Sequence, residues 1–225
     1  MVLALKYSSL AMERHQTLAT PLACLSLGGL VLLGLPPVLA NESLRSTFPG
    51  RRIGGGSRGE CAARLVINLV PQSSVFAAGS DALLGVLQGP SSSPRPLEIG
   101  FSAYDVEAGS SSSRVSQKVI PASSASLVLL TAAASPRPLL WESSYQCDAD
   151  AAVDELSFIS ADAPPAISLL VTDAQPADAA LQSTLSAWKD SCGGQLATQT
   201  VLRTAGLKGL DVSQWPEQLP VMCAF

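Results

Sequence analysis

From residue 62 onward the chain is a series of short apolar runs broken by Pro, Gly and Ser. Ala62 to Val70 alternates loosely around Leu65, Ile67 and Leu69 and stops at Pro71, which predicts a short strand. Ala82 to Gln88 is a second apolar run. Leu97 to Val106 alternates well, with Ile99, Phe101, Ala103 and Asp105 on one face. Gly109 to Ser113 reads as a flexible serine turn, and Val115 to Ile120 and Ser126 to Thr131 as further β-rich runs. Over Leu139 to Cys147, the side chains of Leu139, Trp141, Ser143, Tyr145 and Cys147 share one face. Leu156 to Ser160 and Ile167 to Val171 follow, separated by Ala163-Pro164-Pro165. Strands at this spacing, with turn residues between them, predict a mainly β fold, an antiparallel Ig-like β-sandwich.

The last fifty residues change period. Pro176 to Asp190 places Ala180, Leu181, Leu185 and Trp188 at helical spacing, and Gly193-Gly194 closes the run. Gln195 to Gly209 predicts a second helix, ending at Gly206 or Gly209. Trp215 to Phe225 is an apolar tail that needs an anchor. The expected organisation is therefore a leader at 1–40, a Gly/Arg-rich lead-in at 41–60, a β-sandwich domain at 61–175 and a helical C-terminal portion at 176–225 packed on it. Ser91-Ser92-Ser93-Pro94-Arg95-Pro96 reads as a loop.

The first forty residues read as an export signal. Lys6, Arg14 and His15 precede the apolar run Leu22 to Leu35, which is shorter than the roughly 18 or more residues of a membrane span. Pro36-Pro37 breaks the run, and Val38-Leu39-Ala40 sets cleavage after Ala40; the alternative is an uncleaved N-terminal anchor. The expected location is periplasmic or secreted, with membrane contact only through a retained signal.

Composition narrows the chemistry. The chain has 225 residues, enough for one ordinary domain, with 47% hydrophobic and 14% charged residues. A net charge of −4 with scattered basic residues, and only 5% aromatics, argues against nucleic acid as a partner. The single histidine is His15, so the chain beyond residue 40 has none. Ser-His-Asp and Cys-His mechanisms lose their base, and zinc loses its commonest nitrogen ligand. No cofactor is expected.

Four cysteines lie beyond residue 40: Cys61, Cys147, Cys192 and Cys223. An even number in an exported chain reads as disulfides, and three pairings are open. We favour Cys61–Cys147 with Cys192–Cys223, because the second bond would hold the apolar tail. The loops so closed are worth at most about 4.6 and about 3.7 kcal/mol on chain-entropy grounds.

The stretch Arg51-Arg52-Ile53-Gly54-Gly55-Gly56-Ser57-Arg58-Gly59-Glu60-Cys61, followed by a strand ending at Leu69-Val70-Pro71, resembles a family known chiefly from cyanobacteria. That family is number nine hundred and twenty-eight in the domain-of-unknown-function series. The segment Trp141 to Asp148 resembles its later aromatic-x-x-x-aromatic-x-Cys-Asp segment. The resemblance covers residues 49–175. It implies an exported β-sandwich of unestablished activity, with the two family cysteines on Cys61 and Cys147. The chain departs from the family where Asp81 to Leu87 lacks aromatics, and where a short C-terminal region adds two cysteines.

Candidate sites are few. Arg51, Arg52 and Arg58 among glycines form a candidate anion cradle, since backbone N–H groups converge there and guanidinium suits phosphate or carboxylate. The competing expectation is a turn whose arginines pair with Glu60 or with sheet-edge carbonyls. Asp148, Asp150, Asp154 and Glu155 form an acidic cluster, a candidate for calcium, although solvated loop charges are far commoner. Gly55-Gly56-Ser57-Arg58-Gly59 matches a nucleophile elbow without the strand, helix and histidine that motif needs. Ser186-Ala187-Trp188-Lys189 matches S-x-x-K without its companion elements; Trp188 is expected inward and Lys189 in solvent. The sequence therefore points to a non-enzymatic envelope or secreted binding or structural module, whose partner is an envelope or extracellular protein or glycan. The alternative is a hydrolase or transpeptidase-like enzyme using carboxylates or a Ser/Lys pair.

Overall fold

The contrast between continuous and alternating apolar runs separates two sheets. In a computed structural model that describes residues 44–55, 64–146 and 164–225, the first sheet orders its strands β1-β2-β4-β7-β11-β10. These are β1 (Ile53–Gly54), β2 (Val66–Asn68), β4 (Leu83–Gln88), β7 (Ser126–Thr131), β11 (Gln218–Ala224) and β10 (Gln195–Ala197). The second sheet orders β3 (Val75–Phe76), β9 (Ala166–Leu170), β8 (Leu139–Tyr145), β5 (Leu97–Asp105) and β6 (Ser110–Ile120). The two sheets share one apolar core, so the expected β-sandwich is present.

Every residue of β2 and β4 is buried, and all of β7 except Thr131. A strand buried on both faces has no polar side to show, which is why LLGVLQ and SLVLLT do not alternate. The second sheet covers one face of the first. The helix α1 (Pro176–Lys189) covers the other, packing on β4, with α2 (Thr198–Thr204) beside it. The second sheet keeps one face wet, and β8 alternates strictly, with Leu139, Trp141, Ser143 and Tyr145 inward.

Both sheets are mixed rather than purely antiparallel: β11 runs parallel to β7, and β3 parallel to β9. The C-terminal portion is accordingly more than helical. Gln195–Ala197 forms β10 on the edge of β11, and the second helix starts only at Thr198. Pairing with Gln218, Leu219 and Pro220 overrides the helical period there. Trp215 to Phe225 had called for an anchor; most of it is β11, inserted between β7 and β10. The expected Cys192–Cys223 disulfide is present, with a sequence separation of 31, and fastens β11 to the turn after α1. Two backbone hydrogen bonds double it, from Gly193 N to Val221 O and from Val221 N to Gly194 O.

Two other expectations change. The serine stretch Ser110–Ser113 is the start of β6; the turn precedes it, closed by Gly109 at a φ of +62° and by Asp105 Oδ1 accepting from the Glu107 and Ala108 N–H groups. The lead-in is also partly regular, because Ile53–Gly54 pairs with β2 while Arg51 bridges to Ile167 in the second sheet. Gly54 is needed at this crossing, where a Cβ would run into the backbone at 164–166.

The first part of the lead-in is docked as well. Leu44 and Phe48 cover a second small core formed by Val75, Ala77, Leu169 and Val171, and Phe48 meets Tyr104 edge to face. Within this segment, Arg45 reaches α1 and pairs with Asp178 at 2.6 Å, where Asp178 is fully buried. Asp178 also accepts from Gln175 N, so one carboxylate caps the helix and holds the N-terminal segment.

Two substitutions test this packing. A Cβ on Gly85 would lie 2.8 Å from Leu185 Cδ2 and 2.9 Å from Leu69 Cδ1. Gly85→Ala should therefore cost about 1–3 kcal/mol by overpacking, read from denaturant unfolding. Arg45→Ala leaves Asp178 buried without its cation and should cost about 3–5 kcal/mol in the same assay. A loss below about 1 kcal/mol would show that the pair is not holding the segment to α1.

Candidate functional site

The lead-in brings Arg51 and Arg52 to different carbonyls. Arg51 donates to Pro165 O from Nε at 3.3 Å and Nη2 at 3.0 Å, at the edge of the second sheet. Arg52 donates from Nη1 to Val70 O at 3.2 Å, beside the first sheet. Arg58 and Ser57 lie outside the described residues. Bound to Pro165 O and to Val70 O, the two adjacent arginines do not close on one point.

Arg52 stands at the rim of a groove of about 440 Å3 between the turn after β2, one face of α1 and the C-terminal end of α2. Leu69, Val70 and Pro71 form one wall. Ala177, Ala180, Leu181 and Thr184, three and four residues apart on α1, form the second. Ala205 and Gly206 close the end, where Gly206 takes a φ of +69° to stop α2. Small side chains on both helices leave this groove open. Burial pushes the Arg52 guanidinium below its ordinary pKa, and among the described residues no carboxylate pairs with it.

A second concavity of about 310 Å3 lies on the wet face of the second sheet and gathers the carboxylates of Glu98 and Glu142. Arg114 reaches across β5 from β6 and stands between them, with Nη1 3.5 Å from Glu98 Oε1 and Nη2 3.8 Å from Glu142 Oε2. Gly100 makes this crossing possible, since a Cβ there would occupy the place of the guanidinium. Gln146 Nε2 donates to Glu98 Oε2 at 3.3 Å. The arrangement is a cross-strand ion ladder over β8, β5 and β6.

No protein-family model matches this chain, and no curated protein and no solved structure matches it. Function therefore rests on the chain's own groups.

No hydrogen bond joins Ser186 to Lys189 among the described residues. Trp188 packs into the core, while Lys189 is exposed, with Nζ 5.0 Å from the centre of the Phe225 ring. Asp148, Asp150, Asp154 and Glu155 lie outside the described residues, as do Cys61, Cys147 and the 156–160 run. Among the described residues no group of His, Cys, Asp and Glu could hold a metal ion, and no helix is long and apolar enough to cross a membrane.

The sequence pattern did not single out Arg64, which makes three side-chain hydrogen bonds. It is buried and donates from Nε to Gly89 O at 2.9 Å, and from Nη2 to the carbonyls of Ser123 and Ser124. Its guanidinium lies 4.4 Å from the centre of the Tyr145 ring, and Tyr145 Oη donates to Leu65 O at 2.9 Å. Its position three residues after Cys61 was the only available signal. Burial raises the Tyr145 phenol well above its ordinary pKa, against smaller opposing effects of Arg64 and of a backbone hydrogen bond.

That shift gives a test with a defined sign. The phenol stays protonated in the folded chain while the unfolded chain loses its proton near pH 10, so this contribution to stability is whole below about pH 10 and is lost above it. Unfolding free energy should fall above that pH by up to about 1.4 kcal/mol per unit from this group. Tyr145→Phe should remove that increment while costing about 1 kcal/mol at neutral pH for the lost bond to Leu65 O. Equal alkaline slopes in denaturant titrations of the two proteins would contradict the assignment.

Proposed function

We propose that this chain is an exported, non-enzymatic module of the cell envelope or the secreted space, acting by binding and held by two disulfides. The observation that carries the reading is Cys192–Cys223, which fastens the tail strand across the turn after α1. Such a bond persists in oxidising compartments. The leader-like pattern of residues 1–40 supports the same compartment.

The second disulfide we assign to Cys61–Cys147. With Cys192 and Cys223 paired, these two remain of the four. The contact between Arg64 and Tyr145 supports it, because it joins chain positions three residues from Cys61 and two from Cys147. The motif Arg51 to Cys61 supports placing the chain with the cyanobacterial family of domains of unknown function, whose cysteines these two would be.

The enzyme reading has one feature in its favour, the Glu98 and Glu142 carboxylates in one concavity. Arg114 stands between them and pairs with both, where a hydrolase keeps that space for water or the scissile bond. Binding is therefore the better reading, and the apolar groove beside Arg52 is the surface most suited to it.

Fractionation of the native cells into cytosol, membranes, periplasm and medium, with thiols trapped by alkylation, tests compartment and bonding together. The expected product starts at Asn41, is found in periplasm or medium, and gives non-reduced peptides linking Cys61 to Cys147 and Cys192 to Cys223. Recovery from cytosol with alkylated thiols would overturn the proposal.

A further inference from the structure

The groove at Arg52 combines two properties that ordinary core packing does not put together. Its walls are apolar and lined by small residues, Ala177, Ala180 and Ala205. At its rim stands a partly buried guanidinium that makes one hydrogen bond, to Val70 O, and has no carboxylate partner among the described residues. A cation in that position has been partly stripped of water without receiving a counter-charge in return. The other deeply placed arginines are supplied differently: Arg45 has Asp178, and Arg64 has three carbonyls and an aromatic ring.

We infer that the groove binds a single-chain amphipathic carboxylate of the fatty-acid class. The carboxylate would take the remaining Arg52 donors, for which a planar guanidinium is well shaped. The alkyl chain would lie between the Leu69-Val70-Pro71 wall and the Ala177, Ala180 and Leu181 face of α1. The groove volume of about 440 Å3 falls within the roughly 300–1,000 Å3 usual for small-ligand sites. Polar side chains in the lining are few, Gln72, Thr184 and Thr204 beside Arg52, which favours an alkyl chain over a sugar. This rests on the reading of the chain as a binding module and names the ligand class of its groove.

Isothermal calorimetry of the purified protein with dodecanoate, below its micellar concentration, tests the inference; dodecanol and acetate serve as controls. Dodecanoate should bind, acetate should give no heat, and dodecanol should bind more weakly by roughly tenfold for want of the charge-assisted bonds. Arg52→Gln should weaken dodecanoate by a similar factor and leave dodecanol unchanged. Ala180→Phe, at an exposed helix position, should abolish binding of both with the melting temperature preserved. No binding of dodecanoate, or equal binding by the wild type and both variants, would overturn the inference. Calorimetry does not depend on the compartment, so its failure is distinguishable from failure of the export reading, which fractionation decides.

Discussion

The first sheet is buried on both faces, and most of the structure follows from that condition. A two-layer sandwich would leave the outer sides of β2, β4 and β7 in water, with Leu69, Leu87 and Leu129 among the exposed groups. The chain prevents this by sending α1 across β4, where Gly85 lets Leu185 and Leu69 approach the backbone closely. A helix that must lie on a sheet needs a connection long enough to cross it, and the return strand then comes in parallel to its neighbour. This accounts for β11 running parallel to β7 at the far end of the chain. It also places the disulfide, which fastens the returning strand to the turn where α1 ends.

Apolar burial of that extent leaves a polar problem at the margins, and the chain solves it chiefly with hydroxyls, amides and arginines. Asn68 Nδ2 donates to Ser168 Oγ at 3.1 Å, joining the two sheets through the core. Gln88 Nε2 donates to Ser126 Oγ within the first sheet, and Trp141 Nε1 to Ser143 Oγ in the second. Short hydroxyls suit these places because one group satisfies a buried donor with little volume. At the edges, arginine performs the larger task of tying loops to strands through carbonyls, as Arg51 does with Pro165 and Arg64 with Gly89, Ser123 and Ser124.

What the sequence revealed and what it hid divide along the same line. Strands whose side chains alternate, Leu97–Asp105 and Leu139–Tyr145, are legible because one face is wet, and a period of two is a local property. The continuous runs 83–88 and 126–131 are legible as strands by length and β-branched content, but nothing local says what covers their second face. The short strands Ile53–Gly54, Val75–Phe76 and Gln195–Ala197 were missed because two or three residues carry no period; they exist through their partners. The helix at Pro176 was read correctly from spacing and from its proline, whereas the dependence of its start on Arg45 is a contact across more than a hundred residues. The candidate site divides likewise. Arg52 was visible as a residue type, but the groove beside it exists only once α1 and α2 are laid on the sheet.

The three arginines that leave the surface can be ranked by what meets their charge. Arg45 has a carboxylate at 2.6 Å, which removes most of the cost of its burial and makes it part of the scaffold. Arg64 has carbonyl dipoles and the face of Tyr145, weaker partners that suffice near the edge of the sandwich. Arg52 has one carbonyl at 3.2 Å. Were its task only structural, a neutral donor would tie the lead-in to Val70 O at less desolvation cost, since one amide N–H serves one acceptor as well. A guanidinium carries further donors and a full charge, and beside an apolar groove both are of use to a ligand that brings an anionic head and an alkyl chain together. Function is therefore sought at the arginine that has neither a carboxylate nor an aromatic ring against its charge among the described residues.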